Sequence, residues 1–108
     1  MSYKVKVDHF TCTAAGGHVV TSRPGALAGF VMVTTTGDPT FAFYNGGEAN
    51  TGLDNEIYPT DIHDASAHAH PYHFLPGFLI PAPDGLYLDV SVMGEGVNEY
   101  TIYYVEDD

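Results

Sequence analysis

Four of the six histidines, His63, His68, His70 and His73, fall in one short segment of the 108-residue chain. Neutral imidazole nitrogens bind transition metals, and alternate residues of an extended strand point the same way. His68 and His70 would therefore address one ion together, with His73 as the next ligand along. A metal at His68, His70 and His73 is the one cofactor the sequence raises; the alternative is that these are surface or interface histidines of a polar loop. The acidic run 47–56 carries Glu48, Asp54 and Glu56, hard oxygen donors suited to Ca²⁺. It lacks the alternating acids and closing Glu of an EF-hand and reads as a solvated loop.

Nucleophilic catalysis finds no comparable cluster. Cys12 is the only cysteine, which excludes an intrachain disulfide. His9 lies three residues away, on the opposite face of a strand, so Cys12 is expected to be a small buried side chain and not an activated thiol. No nucleophile elbow, phosphate loop or dinucleotide fingerprint occurs. Gly94-Glu95-Gly96 is expected to be a hairpin loop, since a dinucleotide site needs a helix to open directly after it. The protein is accordingly read as non-enzymatic. The His68-x-His70 spacing resembles the first motif of cupins, but the Glu and the second downstream His that complete a cupin site are missing. Pro71, Tyr72, His73, Phe74 and Leu75 follow instead, and no histidine comes after His73. The same spacing is similar to the His-x-His sites of phage spike and fibre trimers, where His68 and His70 from three copies would surround one axis.

Charge narrows the partners. Fourteen acids against three bases leave a net charge of −11, and Lys4, Lys6 and Arg23 are the only bases. A phosphate backbone requires several Lys or Arg contacts, so nucleic acid and anionic membrane are both poor partners. The field favours solubility and docking onto a basic surface. With so few bases, internal salt bridges are not expected to be a stabilising theme. The longest apolar runs are far below the roughly 18 residues of a membrane helix. The N-terminal residues lack the apolar core of a signal peptide, so a soluble protein made in a reducing compartment is expected.

Length, 44% apolar residues and 13% aromatics suit one globular domain over residues 1–108. Twelve Gly and seven Pro are spread along the chain as punctuation between short strands. Tyr3, Val5 and Val7 alternate with Lys4, Lys6 and Asp8, the period of a half-buried strand that continues through Phe10 and Thr13. Gly16-Gly17 should break it before a short strand 18–21 and a turn at Arg23-Pro24-Gly25. The nearly continuous apolar stretch 26–35 is the candidate central strand, with 40–44 expected as its antiparallel hairpin partner. Residues 45–60 read as a polar surface excursion, and 61–70 is the only stretch with helical character, with Thr60 as its cap. Segments 74–80, 86–93 and 98–105 complete about seven or eight strands, the last two expected to form a hairpin. The expected fold is all-β: a single antiparallel β-sandwich or jelly-roll-like domain with at most one short helix.

One ordered series of short motifs spans most of the chain: Pro24-Gly25-Ala26-Leu27-Ala28-Gly29-Phe30-Val31, Asp38-Pro39-Thr40-Phe41-Ala42-Phe43-Tyr44-Asn45, Gly77-Phe78-Leu79-Ile80-Pro81, Asp84-Gly85-Leu86-Tyr87-Leu88-Asp89-Val90 and Tyr100-Thr101-Ile102-Tyr103-Tyr104. This series resembles the small all-β virion proteins of tailed bacteriophages. It departs from them in Asn45, where such proteins often carry Asp, and in the His-rich segment 54–73. The resemblance implies a structural virion protein, foremost a decoration or cement protein bound to the major capsid protein, otherwise a neck, tail or fibre component. Its expected location is the virion, assembled in the host cytoplasm. The competing reading is a small metal- or sugar-binding β-sandwich. Because 100–105 is apolar and followed only by acids, it is expected to be a sheet edge that pairs with another copy, giving a homo-oligomer with a trimer favoured. Phe78, Tyr100, Tyr103 and Tyr104 are the expected interface residues.

Overall fold

The computed structural model describes residues 4–34, 39–46, 55–62, 72–92 and 98–107. Every regular element among them is a strand: β1 (Lys6–Cys12), β2 (Gly16–Thr21), β3 (Gly25–Thr34), β4 (Thr40–Asn45), β5 (Glu56–Ile62), β6 (Tyr72–Phe74), β7 (Ile80–Ala82), β8 (Leu86–Val92) and β9 (Asn98–Glu106). They build two antiparallel sheets facing each other as a β-sandwich. One sheet has the order β1-β9-β3-β6, with β7 pairing the start of β3 on the flank that β6 extends. The other has the order β2-β8-β4-β5.

Period-two alternation decides what lies between the sheets. From the five-stranded sheet Leu27, Phe30, Met32, Tyr100 and Ile102 point inward, and Phe41, Phe43, Tyr58, Leu86, Leu88 and Val90 meet them from the four-stranded sheet. Phe30 is the centre of this contact. Its ring lies 5.5 Å from Phe41 and 5.1 Å from Tyr58, both edge to face, 4.8 Å from Phe43 and 5.6 Å from Phe74. Edge-to-face rings attract through their quadrupoles beyond the area they bury, so this cluster fixes how the sheets stack. At the start of β3 the backbones of β3 and β9 approach so closely that a Cβ on Gly25 would sit 2.0 Å from the Val105 carbonyl oxygen. Only glycine fits there.

Several expectations need correction. β3 and β4 do not form a hairpin: they lie in different sheets, and β3 is flanked instead by β9 and by β6 and β7. β8 and β9 are also in different sheets, although the Gly94-Glu95-Gly96 connection itself lies outside the described residues. Strand β9 is not an edge, because β1 pairs along one side of it and β3 along the other. The excursion 45–60 and the helical stretch 61–70 give way to β5, which takes in Thr60, Asp61 and Ile62; residues 63–70 lie outside the described residues. Gly16 and Gly17 do not interrupt a strand but open β2, opposite Val90 and Asp89. In and just before β1 the alternation is inverted relative to expectation: Val5 and Val7 are 53% and 58% exposed, while Asp8, Phe10 and Cys12 face inward.

Replacing Phe30 with alanine should cost about 3–5 kcal/mol of stability, the usual range for a buried aromatic, and Gly25→Ala should also destabilise. Urea denaturation of the two variants against the parent protein measures both.

Candidate functional site

The expected site residues are dispersed. His68 and His70 lie outside the described residues, as does the remainder of the acidic loop before Asn55. His73 is exposed on β6, paired with Val31. Among the described residues no three metal-ligating side chains come together. Tyr100 is a core residue, fully buried between Phe10 and Phe41, and so is not available to an interface. Burial holds its phenol well above the ordinary range, with Cys12 adding to the effect. Tyr103 and Tyr104 are neighbours on β9 and therefore face opposite ways. Tyr103 is half-buried on the outer surface opposite Val7, and Tyr104 is half-buried against the core opposite Lys6. Burial, with Glu106 and Asp8 nearby, raises the Tyr104 phenol, while Lys6 opposes the rise. Cys12 is buried and donates its thiol hydrogen to the Ala14 carbonyl at 3.1 Å, and burial pushes its pKa up. His9 is exposed on the other face of β1, so the two do not form a pair for catalysis.

Phe78 alone among the expected interface residues projects freely, 65% exposed in the loop between β6 and β7. Leu75 at 60% and Leu79 at 38% flank it. Gly77 turns the loop with φ at 79°, in the left-handed region that glycine occupies without strain. The result is an exposed apolar tip, Leu75-Pro76-Gly77-Phe78-Leu79, on an acidic body.

A second arrangement had no sequence signal because it joins β1 and β2, which lie in different sheets, to the C-terminal end of β9. Where the edges of β1 and β2 close the sandwich, His18 Nε2 lies 2.6 Å from Asp8 Oδ2, and the His18 ring stacks on Phe10 at 4.1 Å. Next to it Glu106 accepts hydrogen bonds from the Lys6 ammonium and, at 2.7 Å, from Thr21 Oγ1. Arg23 Nε stands 3.9 Å from the same carboxylate, and Arg23 Nη2 donates to the Asp107 carbonyl at 3.1 Å. Two of the three bases thus converge on one acid at the surface, so the few ion pairs the expectation allowed are gathered at the end of β9. The hydrogen bonds from Lys6 and Thr21 hold the Glu106 carboxyl below the ordinary range. At the C-terminal end of β4, away from the seam, the Asp84 backbone N–H donates to Asn45 Oδ1 at 2.8 Å and Asn45 Nδ2 donates to Asp84 Oδ2 at 3.2 Å. An Asp in place of Asn45 would set two carboxylates against each other, which gives a local reason for the amide.

These features define a two-sheet antiparallel β-sandwich with a polar seam along one open side and an apolar tip on an edge loop. No family model matches the chain, and no curated protein matches it significantly.

Two outcomes follow from the seam. Because the Glu106 carboxyl is depressed in the folded state, its contribution is present above the ordinary carboxylate range and fades as pH falls through the folded value. Glu106→Gln should therefore lower the urea midpoint at neutral pH, and the difference from the parent should shrink in acid. His18→Ala removes both the Asp8 contact and the Phe10 stack, at an expected cost of about 1–2 kcal/mol. Amide exchange in β1 should quicken more than exchange in β3.

Proposed function

We propose that the protein acts by binding, as a structural component of a larger assembly, and that the assembly is a phage particle on whose head it serves as a decoration protein. The virion part of this reading rests on the order of short motifs in the sequence. The observation that favours docking is the Phe78 tip, an apolar loop held out from a sandwich of net charge −11. An aromatic anchor that enters a pocket, surrounded by charges of one sign, is the arrangement expected of a docking protein whose partner presents an apolar socket with Lys and Arg at its rim. The major capsid protein is the proposed partner, and a neck or tail protein would satisfy the same chemistry. The seam residues Asp8, His18, Glu106, Lys6 and Arg23 are engaged with one another, which suits a role in holding the sandwich closed.

Mass spectrometry of purified native particles tests the location directly: the protein should be present in many copies. Its absence from particles would end the virion reading. On particles that carry it, Phe78→Ser should release the protein at a salt concentration where the parent stays bound, since rim charges are screened over about 8 Å at physiological ionic strength while apolar contacts persist.

A further inference from the structure

The end of β4 meets the crossing from β7 to β8 through side chain and backbone together. β7 belongs to the five-stranded sheet and β8 to the four-stranded one, so the turn Pro83-Asp84-Gly85 carries the chain from one layer to the other. Asn45 Oδ1 accepts from the Asp84 backbone N–H at 2.8 Å, and Asn45 Nδ2 donates to Asp84 Oδ2 at 3.2 Å. One residue on, the Gly46 N–H donates to the Gly85 carbonyl at 3.0 Å, and the Gly85 N–H donates to the Ala82 carbonyl at 3.2 Å. Both side chains of this clasp are followed by glycine. Asn45-Gly46 is the only Asn-Gly step in the chain, and Asp84-Gly85 the only Asp-Gly step.

An Asn-Gly step carries its own chemistry. Glycine has no Cβ to shield its nitrogen from the preceding side chain, and its backbone is little restricted. The Gly46 nitrogen, on losing its proton, can therefore attack Asn45 Cγ. The new N–Cγ bond closes a cyclic imide, the Cγ–Nδ2 bond breaks, and Nδ2 leaves with the displaced proton as ammonia. Water then opens the imide. Attack at Cγ breaks the new bond and leaves Asp at position 45; attack at the main-chain carbonyl leaves an isoaspartate, whose backbone runs through Cβ and Cγ.

In the folded protein both reacting groups are engaged elsewhere. Asn45 Cγ is held toward Asp84 through its oxygen and its nitrogen, and the Gly46 N–H is held by the Gly85 carbonyl. We propose that Asn45 is a site of spontaneous deamidation that the clasp with Asp84 and Gly85 holds shut, and that its conversion unfastens this end of the sandwich for good. Asp84 is exposed, so the clasp opens by local fraying and does not need the sheets to separate. Once Asn45 has become an acid the donor Nδ2 is gone, and a carboxylate faces the Asp84 carboxylate where a hydrogen bond of 3.2 Å had been. The isoaspartate form also lengthens the backbone where Asn45 pairs with Leu86.

Peptide mapping by mass spectrometry follows the conversion at Asn45 in the whole protein, kept in mildly alkaline buffer with and without denaturing guanidinium chloride. A net hydrogen bond is worth roughly a factor of five in an equilibrium, and three must open together, so Asn45 should convert at least about tenfold more slowly in the folded protein than in the unfolded chain. Asp84→Ala removes the acceptor of Nδ2 and should quicken conversion in the folded variant about fivefold, while leaving the rate in denaturant unchanged. Far-ultraviolet circular dichroism confirms that this variant is folded, and the comparison of folded with unfolded parent needs no variant. Asn45→Asp makes one product directly and should lower the urea midpoint and quicken exchange of the Gly46 amide. Conversion as fast in the folded parent as in the unfolded chain, a parent-like rate in folded Asp84→Ala, or an Asn45→Asp protein as stable as the parent would each overturn the proposal.

Discussion

The structure depends on one contact, the ring cluster by which Phe30 of one sheet enters the aromatic and aliphatic surface of the other. Phe41, Phe43 and Tyr58 reach it from β4 and β5, and Phe74 from the short strand β6. Ring pairs restrict both distance and angle, so the cluster sets the stacking of the sheets as well as the area they bury. A chain without disulfides has no covalent alternative. β3 is clad on both sides, by β9 and by β6 and β7, and an irregularity in its pairing with β9 between Leu27 and Gly29 lets Leu27 and Phe30, three residues apart, face the same core.

The charges follow from that arrangement. Bringing β1 and β2 together at the open side of the sandwich buries backbone and side-chain polar groups that need partners. Asp8 and His18 satisfy each other there, and Glu106 gathers Lys6, Thr21 and Arg23. The scarce bases are thereby committed to the fold. Most acids of this chain have no base left to pair with, and their common sign acts at a distance, on solubility and on the choice of partner.

A sheet with one face in a core has its other face in solvent unless something covers it. Here both outer sides are mixed: Ala42, Tyr44 and Tyr87 are buried and Val19 exposed on the four-stranded sheet, and Ala26 and Val105 are buried and Val7 and Val33 exposed on the five-stranded sheet. The inverted alternation of β1 contributes to this. Asp8 and Phe10 are drawn inward by His18, and Val5 and Val7 are turned outward as a result, since successive side chains must take opposite faces.

What the sequence determined by itself was the class of element and the broad layering. The apolar row Leu86, Leu88 and Val90, the dense stretch that became β3, and Gly and Pro spaced between short runs were enough to specify an antiparallel two-sheet protein, because side-chain period and turn chemistry are local properties. The burial of Cys12 and its separation from His9 were legible for the same reason. Which strands pair was not. A turn that joins two strands of one sheet and a turn that crosses to the other sheet have the same composition, so β3 with β4, and β8 with β9, looked like hairpins. Strand β9 looked like an edge because its partners β1 and β3 lie far back in the chain. The seam was decided by tertiary structure alone: Asp8 and His18 meet only when two sheets close on each other, Glu106 and Lys6 only when β9 pairs with β1, and no spacing along the chain records either meeting.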